Sequence, residues 1–123
     1  MSVYLLGTNS FLMELIVKCN IDASIFQGHQ KHETMACLQD SNGHFISSLS
    51  SCFTGILSPL EAEARAHNVA LHWLSSRDQR HVIIETDCKQ ILDIMKARNF
   101  QNNEVGDILS CVHKISNLHN YRI

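Results

Sequence analysis

Ser58-Pro59-Leu60-Glu61-Ala62-Glu63-Ala64-Arg65-Ala66 opens the first helix of a chain whose earlier segments read as strands. Ser58 stands at an N-cap, Pro59 occupies the first helical position, where its missing N–H costs nothing, and Glu61 completes a Ser-x-x-Glu capping box. The helix is expected over 59–76. Leu60, Ala64, Leu71 and Leu74, with Ala62, Ala66, Val69, Ala70 and Trp73, give it a broad apolar face, and the small residues permit close approach to a sheet.

Working outward, each flank supplies a strand that carries an acid. Ile16 to Ala23 alternates, with Ile16, Lys18, Asn20 and Asp22 on one face and Val17, Cys19, Ile21 and Ala23 on the other, so a strand over about 14–24 holds a carboxylate. On the other flank, His81-Val82-Ile83-Ile84-Glu85-Thr86-Asp87 is an apolar run of the kind a buried strand shows, closing on an acid. Met35–Gln39 and His44–Phe53 flank the turn Asp40-Ser41-Asn42-Gly43 as a hairpin, Asn-Gly supplying positive φ angles. Two more helices are expected, over Lys89–Arg98 and Val105–Leu118, with Asn99, Asn102 and Asn103 marking the break.

A helix-connected strand normally crosses over right-handed and pairs in parallel, which places Asp22 and Asp87 on adjacent strands with Glu63 at the start of the helix between them. Three carboxylates brought together repel one another unless a divalent cation shares the space, so the pattern points to a magnesium-type site. Singly each acid has a plain structural reading, as a strand end, a solvated helix residue or a helix cap. It is their joint placement that argues for a site.

Composition sets the bounds. A chain of 123 residues with 45% hydrophobic content suits one compact core, and a net charge of −2 leaves no broad basic footprint, so any contact with nucleic acid must be local. Five scattered cysteines without a Cys-x-x-Cys pair argue against a disulfide framework or a zinc ribbon and read as reduced, intracellular thiols, nuclear or cytoplasmic. No segment has the length of a membrane span. His29 and His32, though spaced like ligands, read as a polar loop without a second pair.

Taken in order, these segments resemble the ribonuclease H-type domains of the plant retroelement reverse-transcriptase-related family. The resemblance rests on Asn20-Ile21-Asp22, the Ser58–Glu63 helix start, Glu85-Thr86-Asp87 and the hairpin Leu38–Ile46, and it covers 17–123. It implies an α/β fold, a mixed five-stranded sheet of order 3-2-1-4-5 with helices packed on it. It divides the chain into an N-terminal tail or extension at 1–13 and a domain at 14–123. It further implies hydrolysis of the RNA strand of RNA/DNA hybrids, with Asp22, Glu63 and Asp87 as catalytic ligands of Mg2+, or of Mn2+. Glu63 is preferred to Glu61 because the family's acid lies in the Ala-Glu-x-x-Ala part of the motif. Lys89, Lys96 and Arg98, on or just after the helix that follows Asp87, are the candidate phosphate contacts.

The chain also departs from that family. Ala23 replaces a glycine after the first acid, Glu33-Thr34-Met35 stands in place of a Gly-x-Gly pattern, and Gln39 replaces an arginine. The chain ends at Tyr121-Arg122-Ile123, inside the expected last strand, without the family's fourth ligand. The last strand is therefore expected to be incomplete, leaving Val82–Ile84 an open edge with His119–Ile123 as its only cover. Two functions follow, a ribonuclease H-type nuclease and a catalytically silent module that binds nucleic acid or protein.

Overall fold

The computed structural model describes residues 2–3, 16–77 and 81–119, and at 2, 3, 27 and 119 the backbone alone. Five strands, β1 (Ser2–Val3), β2 (Val17–Phe26), β3 (Lys31–Gln39), β4 (Phe45–Thr54) and β5 (Val82–Thr86), form one sheet of order β1-β5-β2-β3-β4. Helix α1 spans Pro59–Ser76, α2 Lys89–Ala97 and α3 Glu104–His119. The central order β5-β2-β3-β4 is the ribonuclease H-like arrangement that the resemblance implies. β2 pairs antiparallel with β3 and parallel with β5, the latter from Val17↔Val82 to Asn20↔Glu85.

Strand alternation decides where the core lies. Cys19 and Ile21 of β2, Ala36 and Leu38 of β3, and Val82 and Ile84 of β5 are buried together with Ala64, Ala66, Ala70, Leu71 and Leu74 of α1. The alanines of α1 bring its backbone close to the sheet, where longer side chains would hold it off. Ser58 caps α1 as the sequence suggests: its Oγ accepts from Glu61 N–H at 3.2 Å and donates to Glu61 Oε1 at 3.3 Å. α3 packs beside α1, and Arg65 and Glu104 form an ion pair between them. The start of α3 needs a glycine, because a Cβ on Gly106 would sit 1.8 Å from the Gln101 carbonyl oxygen. Asn103 Oδ1 accepts from the Gly106 N–H at 2.8 Å.

Five local expectations change. β3 begins at Lys31, earlier than Met35, since His32 and Thr34 continue its buried face; the polar residues had hidden the period. His32 is thus no loop residue but buried in a strand and stacked on Phe53 at 5.4 Å. The hairpin turn does not use positive φ at both Asn42 and Gly43: Gly43 alone takes it, at +83°, and Asp40 Oδ1 accepts from the N–H groups of Asn42 and His44, each at 2.9 Å. At the far edge, Ser2↔Thr86 and Val3↔Glu85 pair antiparallel, so the strand outside β5 comes from the N-terminal end. His119, expected to begin a last strand, closes α3, while the rest of that expected strand and residues 4–15 lie outside the described residues.

Candidate active site

Three elements carry the three acids to one corner of the sheet. Asp22 lies in the middle of β2, Glu63 in the second turn of α1 and Asp87 one residue past β5. Continuing the parallel register from Asn20↔Glu85 by two residues brings Asp22 level with Asp87. Asp22 and Asp87 are exposed and Glu63 is half-buried. The cap of α2 is Cys88, without a side-chain hydrogen bond, so Asp87 stands before the cap and does not serve as it.

Glu63 is the electrostatic centre of this corner. Burial first, then the charge of Asp22 and, more weakly, that of Asp87, push its carboxyl up to about 7 from an ordinary 4.5. An opposing pull comes from the Ala23 N–H, which donates to Asp22 Oδ1 at 2.9 Å and also bonds Glu63, lowering it. A single backbone amide therefore links the first and second acids. Glu63 also raises the Cys88 thiol, after burial, which places its charge at the start of α2.

Among the described residues no group of three or more His, Cys, Asp or Glu side chains is placed to hold a metal ion. The donor chemistry nonetheless suits a hard divalent cation: the three side chains offer only carboxylate oxygens, and a cation would relieve the repulsion that Glu63 registers.

Beside Asp22 the face of the sheet turned away from α1 is open. Asn20, Asp22, Met35, Ala36, Cys37, Ser48, Leu49 and Ser50 line a depression of about 350 Å³ there. Met35 lies directly opposite Asp22 in the β2–β3 register, and Ser50 Oγ donates to Glu33 Oε1 at 2.6 Å. Side chains thus fill the strand positions where the motif family carries glycines. The basic candidates are all exposed: Lys89 opens α2, Lys96 lies in its last turn, and Arg98 ends it in a left-handed conformation at φ 54°.

Two residues drew no site role from the sequence. Glu85, part of the Glu85-Thr86-Asp87 motif, is buried on β5 in register with Asn20, where its charge adds to burial and to Cys37 in raising the Cys19 thiol. His67, one turn beyond Glu63, is fully buried, its Nδ1 2.8 Å from the Glu63 carbonyl oxygen and its Nε2 without a partner among the described residues. Burial holds it down at about 4, so it is neutral at ordinary pH. The i,i+4 spacing from Glu63 is the signal that was available.

A mixed sheet of this order, with a helix crossing it between two adjacent parallel strands, defines the ribonuclease H-like class. The chain belongs to the reverse transcriptase-like family, whose profile matches residues 14–121. Among solved structures, it resembles ribonuclease H1 of the halophilic archaeon Halobacterium salinarum NRC-1 at 11% identity and a TM-score of 0.74, over 87% of this chain and 81% of that one. It is similar to LC11 ribonuclease H1 in complex with an RNA/DNA hybrid at 15% identity and a TM-score of 0.71, over 86% and 81%. It also resembles the foamy viral protease-reverse transcriptase in complex with double-stranded DNA at 14% identity and a TM-score of 0.60, over 91% and 81%. No curated protein matches the chain significantly. Among the described residues no helix is long and apolar enough to cross a membrane.

Proposed function

We propose that the chain is a ribonuclease H-type nuclease domain that hydrolyses the RNA strand of RNA/DNA hybrids, with Asp22, Glu63 and Asp87 as its catalytic, metal-holding carboxylates. The observation that carries this reading is the effect of both aspartates on Glu63, from two strands and a helix far apart in sequence. When bound, magnesium or manganese supplies Lewis-acid activation of a water and of the leaving oxygen. The chain's own part is to hold the three carboxylates apart from the core, with the Ala23 amide fixing Asp22 and opposing the rise at Glu63. Lys89, Lys96 and Arg98 are proposed to meet backbone phosphates, which orient a duplex without reading its sequence. The affinity with the plant retroelement branch rests on Asn20-Ile21-Asp22, Ser58–Glu63 and Glu85-Thr86-Asp87. Five free cysteines suit a reducing compartment, cytoplasmic or nuclear.

A second reading, the silent module, is favoured by one observation: side chains at Ala23, Glu33 and Met35 crowd the place where a phosphate backbone would approach glycines. A labelled RNA/DNA hybrid with magnesium separates the two. Cleavage that falls roughly 100-fold or more in Asp22→Asn, about 2.7 kcal/mol of barrier, supports the nuclease. Cleavage that persists in that variant refutes the assigned site. Hybrid binding without cleavage by the parent chain replaces the nuclease by the silent module.

A further inference from the structure

The outer edge of β4 has no partner strand among the described residues, and its sequence is nearly its own mirror image. Phe45-Ile46-Ser47-Ser48-Leu49-Ser50-Ser51-Cys52-Phe53 reads alike in both directions about Leu49, except that Ile46 answers Cys52. Natural sheets usually protect such an edge with lysine, proline, an inward-facing charge or a short strand. β4 has none of these: it runs for 10 residues, all uncharged. A register irregularity beside Gln39 disturbs it only at its first two residues. Large apolar side chains flank the edge, Phe45 being 66% exposed, Ile46 39%, Phe53 39% and, just beyond the strand, Ile56 76%.

We infer that β4 is a self-association edge, on which a second copy of this chain adds its own β4 antiparallel about a two-fold axis through Leu49. An antiparallel two-fold pairing keeps each face of the sheet on its own side, so opposed residues must share a face. Centring on Leu49 meets that condition. It sets Ser47 against the partner's Ser51 and Leu49 against the partner's Leu49 on the side facing α1, and Ser48 against the partner's Ser50 on the open side. At one end of the seam the stacking of Phe53 on His32 keeps that ring in place, whereas Phe45, set opposite Gln39 beyond the irregularity, stands on the open side and takes no part in the pairing. No charge meets a like charge anywhere along the seam, and the net charge of −2 adds little repulsion between copies. Asp22 lies two strands away on β2, so the joined sheet leaves the carboxylate corner accessible.

The palindrome also dictates the test. Sedimentation velocity on the purified chain over a range of concentrations should show a monomer–dimer equilibrium. Ser48→Lys with Ser50→Lys places lysines opposite lysines twice and should weaken association roughly tenfold or more. Ser48→Glu with Ser50→Lys places a glutamate opposite a lysine twice and should restore it. Both variants change the same exposed positions, so a folding defect would appear in both and is checked by their melting curves. A parent chain that stays monomeric, or that associates only with a strand from another protein, overturns the inference. So does association indifferent to both variants, or lost equally in both while both remain folded.

Discussion

The two faces of the sheet are written by alternate residues of the same strands, and they do opposite work. Facing α1, Cys19, Ile21, Ala36, Leu38 and Ile84 meet Ala66, Ala70, Leu71 and Leu74 in the core. Facing away, Asn20, Asp22, Met35, Cys37, Ser48 and Ser50 line an open depression. Burial of apolar surface stabilises the first face by about 25 cal/mol per Å². The second contributes little to folding and is left for chemistry and contact. A period of two therefore lets β2 hold the fold with Ile21 and offer a carboxylate with its neighbour Asp22.

The sharpest way to break this contrast is to truncate one side chain on each side of it to alanine. Leu71→Ala opens a cavity in the covered face and should cost about 2–5 kcal/mol of stability, read from urea denaturation. Ser48→Ala on the open face should stay within about 0.5 kcal/mol. Similar losses from both would mean that the open face is held by something beyond the strands.

A smaller effect separates Glu63 from His67, which stand one turn apart at the boundary of the two faces. His67 falls from 6.5 to about 4, so the unfolded chain binds more protons between those values and stability drops on acidification through that window, by up to about 3 kcal/mol. Glu63 rises from 4.5 to about 7, so the native chain binds more protons there and stability is lost as pH rises through it. Because Glu63 is half exposed, solvent screening cuts its share to about 1 kcal/mol. The parent should thus lose stability toward acid, and Glu63→Gln should steepen that loss by about 1 kcal/mol between pH 6.5 and 4.5. In Asp22→Asn the Glu63 titration, followed by carboxyl carbon resonance, should move down, because a raising charge is gone. A Glu63 midpoint indifferent to Asp22 would dissolve the shared corner.

Much of this was legible in the sequence for stated reasons. Val17 to Ala23 alternates apolar with polar, and Ser58 through Glu63 carries both a cap and a proline, so β2 and the start of α1 were readable. β3 was cut short because His32 and Thr34, polar yet buried, break the apolar period that marks a strand. The pairing of Ser2–Val3 with β5 was beyond reach, since two residues carry no period at all. Of the site, the acids and their order could be read, but the burial that raises Glu63 depends on α1 lying across the sheet. That is a tertiary fact with no local signature.

The smallest effect tests whether Glu61 and Glu63, two residues apart, are divided between folding and chemistry. Ser58 Oγ takes the Glu61 N–H, and the Glu61 carboxylate takes the Ser58 hydroxyl in return. Ser58→Ala should therefore cost about 1 kcal/mol by leaving a helix donor unsatisfied. Glu61→Gln keeps an acceptor in place and should cost less, a few tenths of a kcal/mol from the lost charge at the helix start. Neither substitution touches a neighbour of Glu63 that sets its charge, so neither should shift the Glu63 titration or any hybrid cleavage. Thermal melts give the first pair of outcomes, and the resonance titration and a cleavage assay give the second. If Glu61→Gln abolished cleavage while leaving the melt unchanged, the catalytic role would pass to Glu61, and α1 would have to present its first turn, not its second, to the two aspartates.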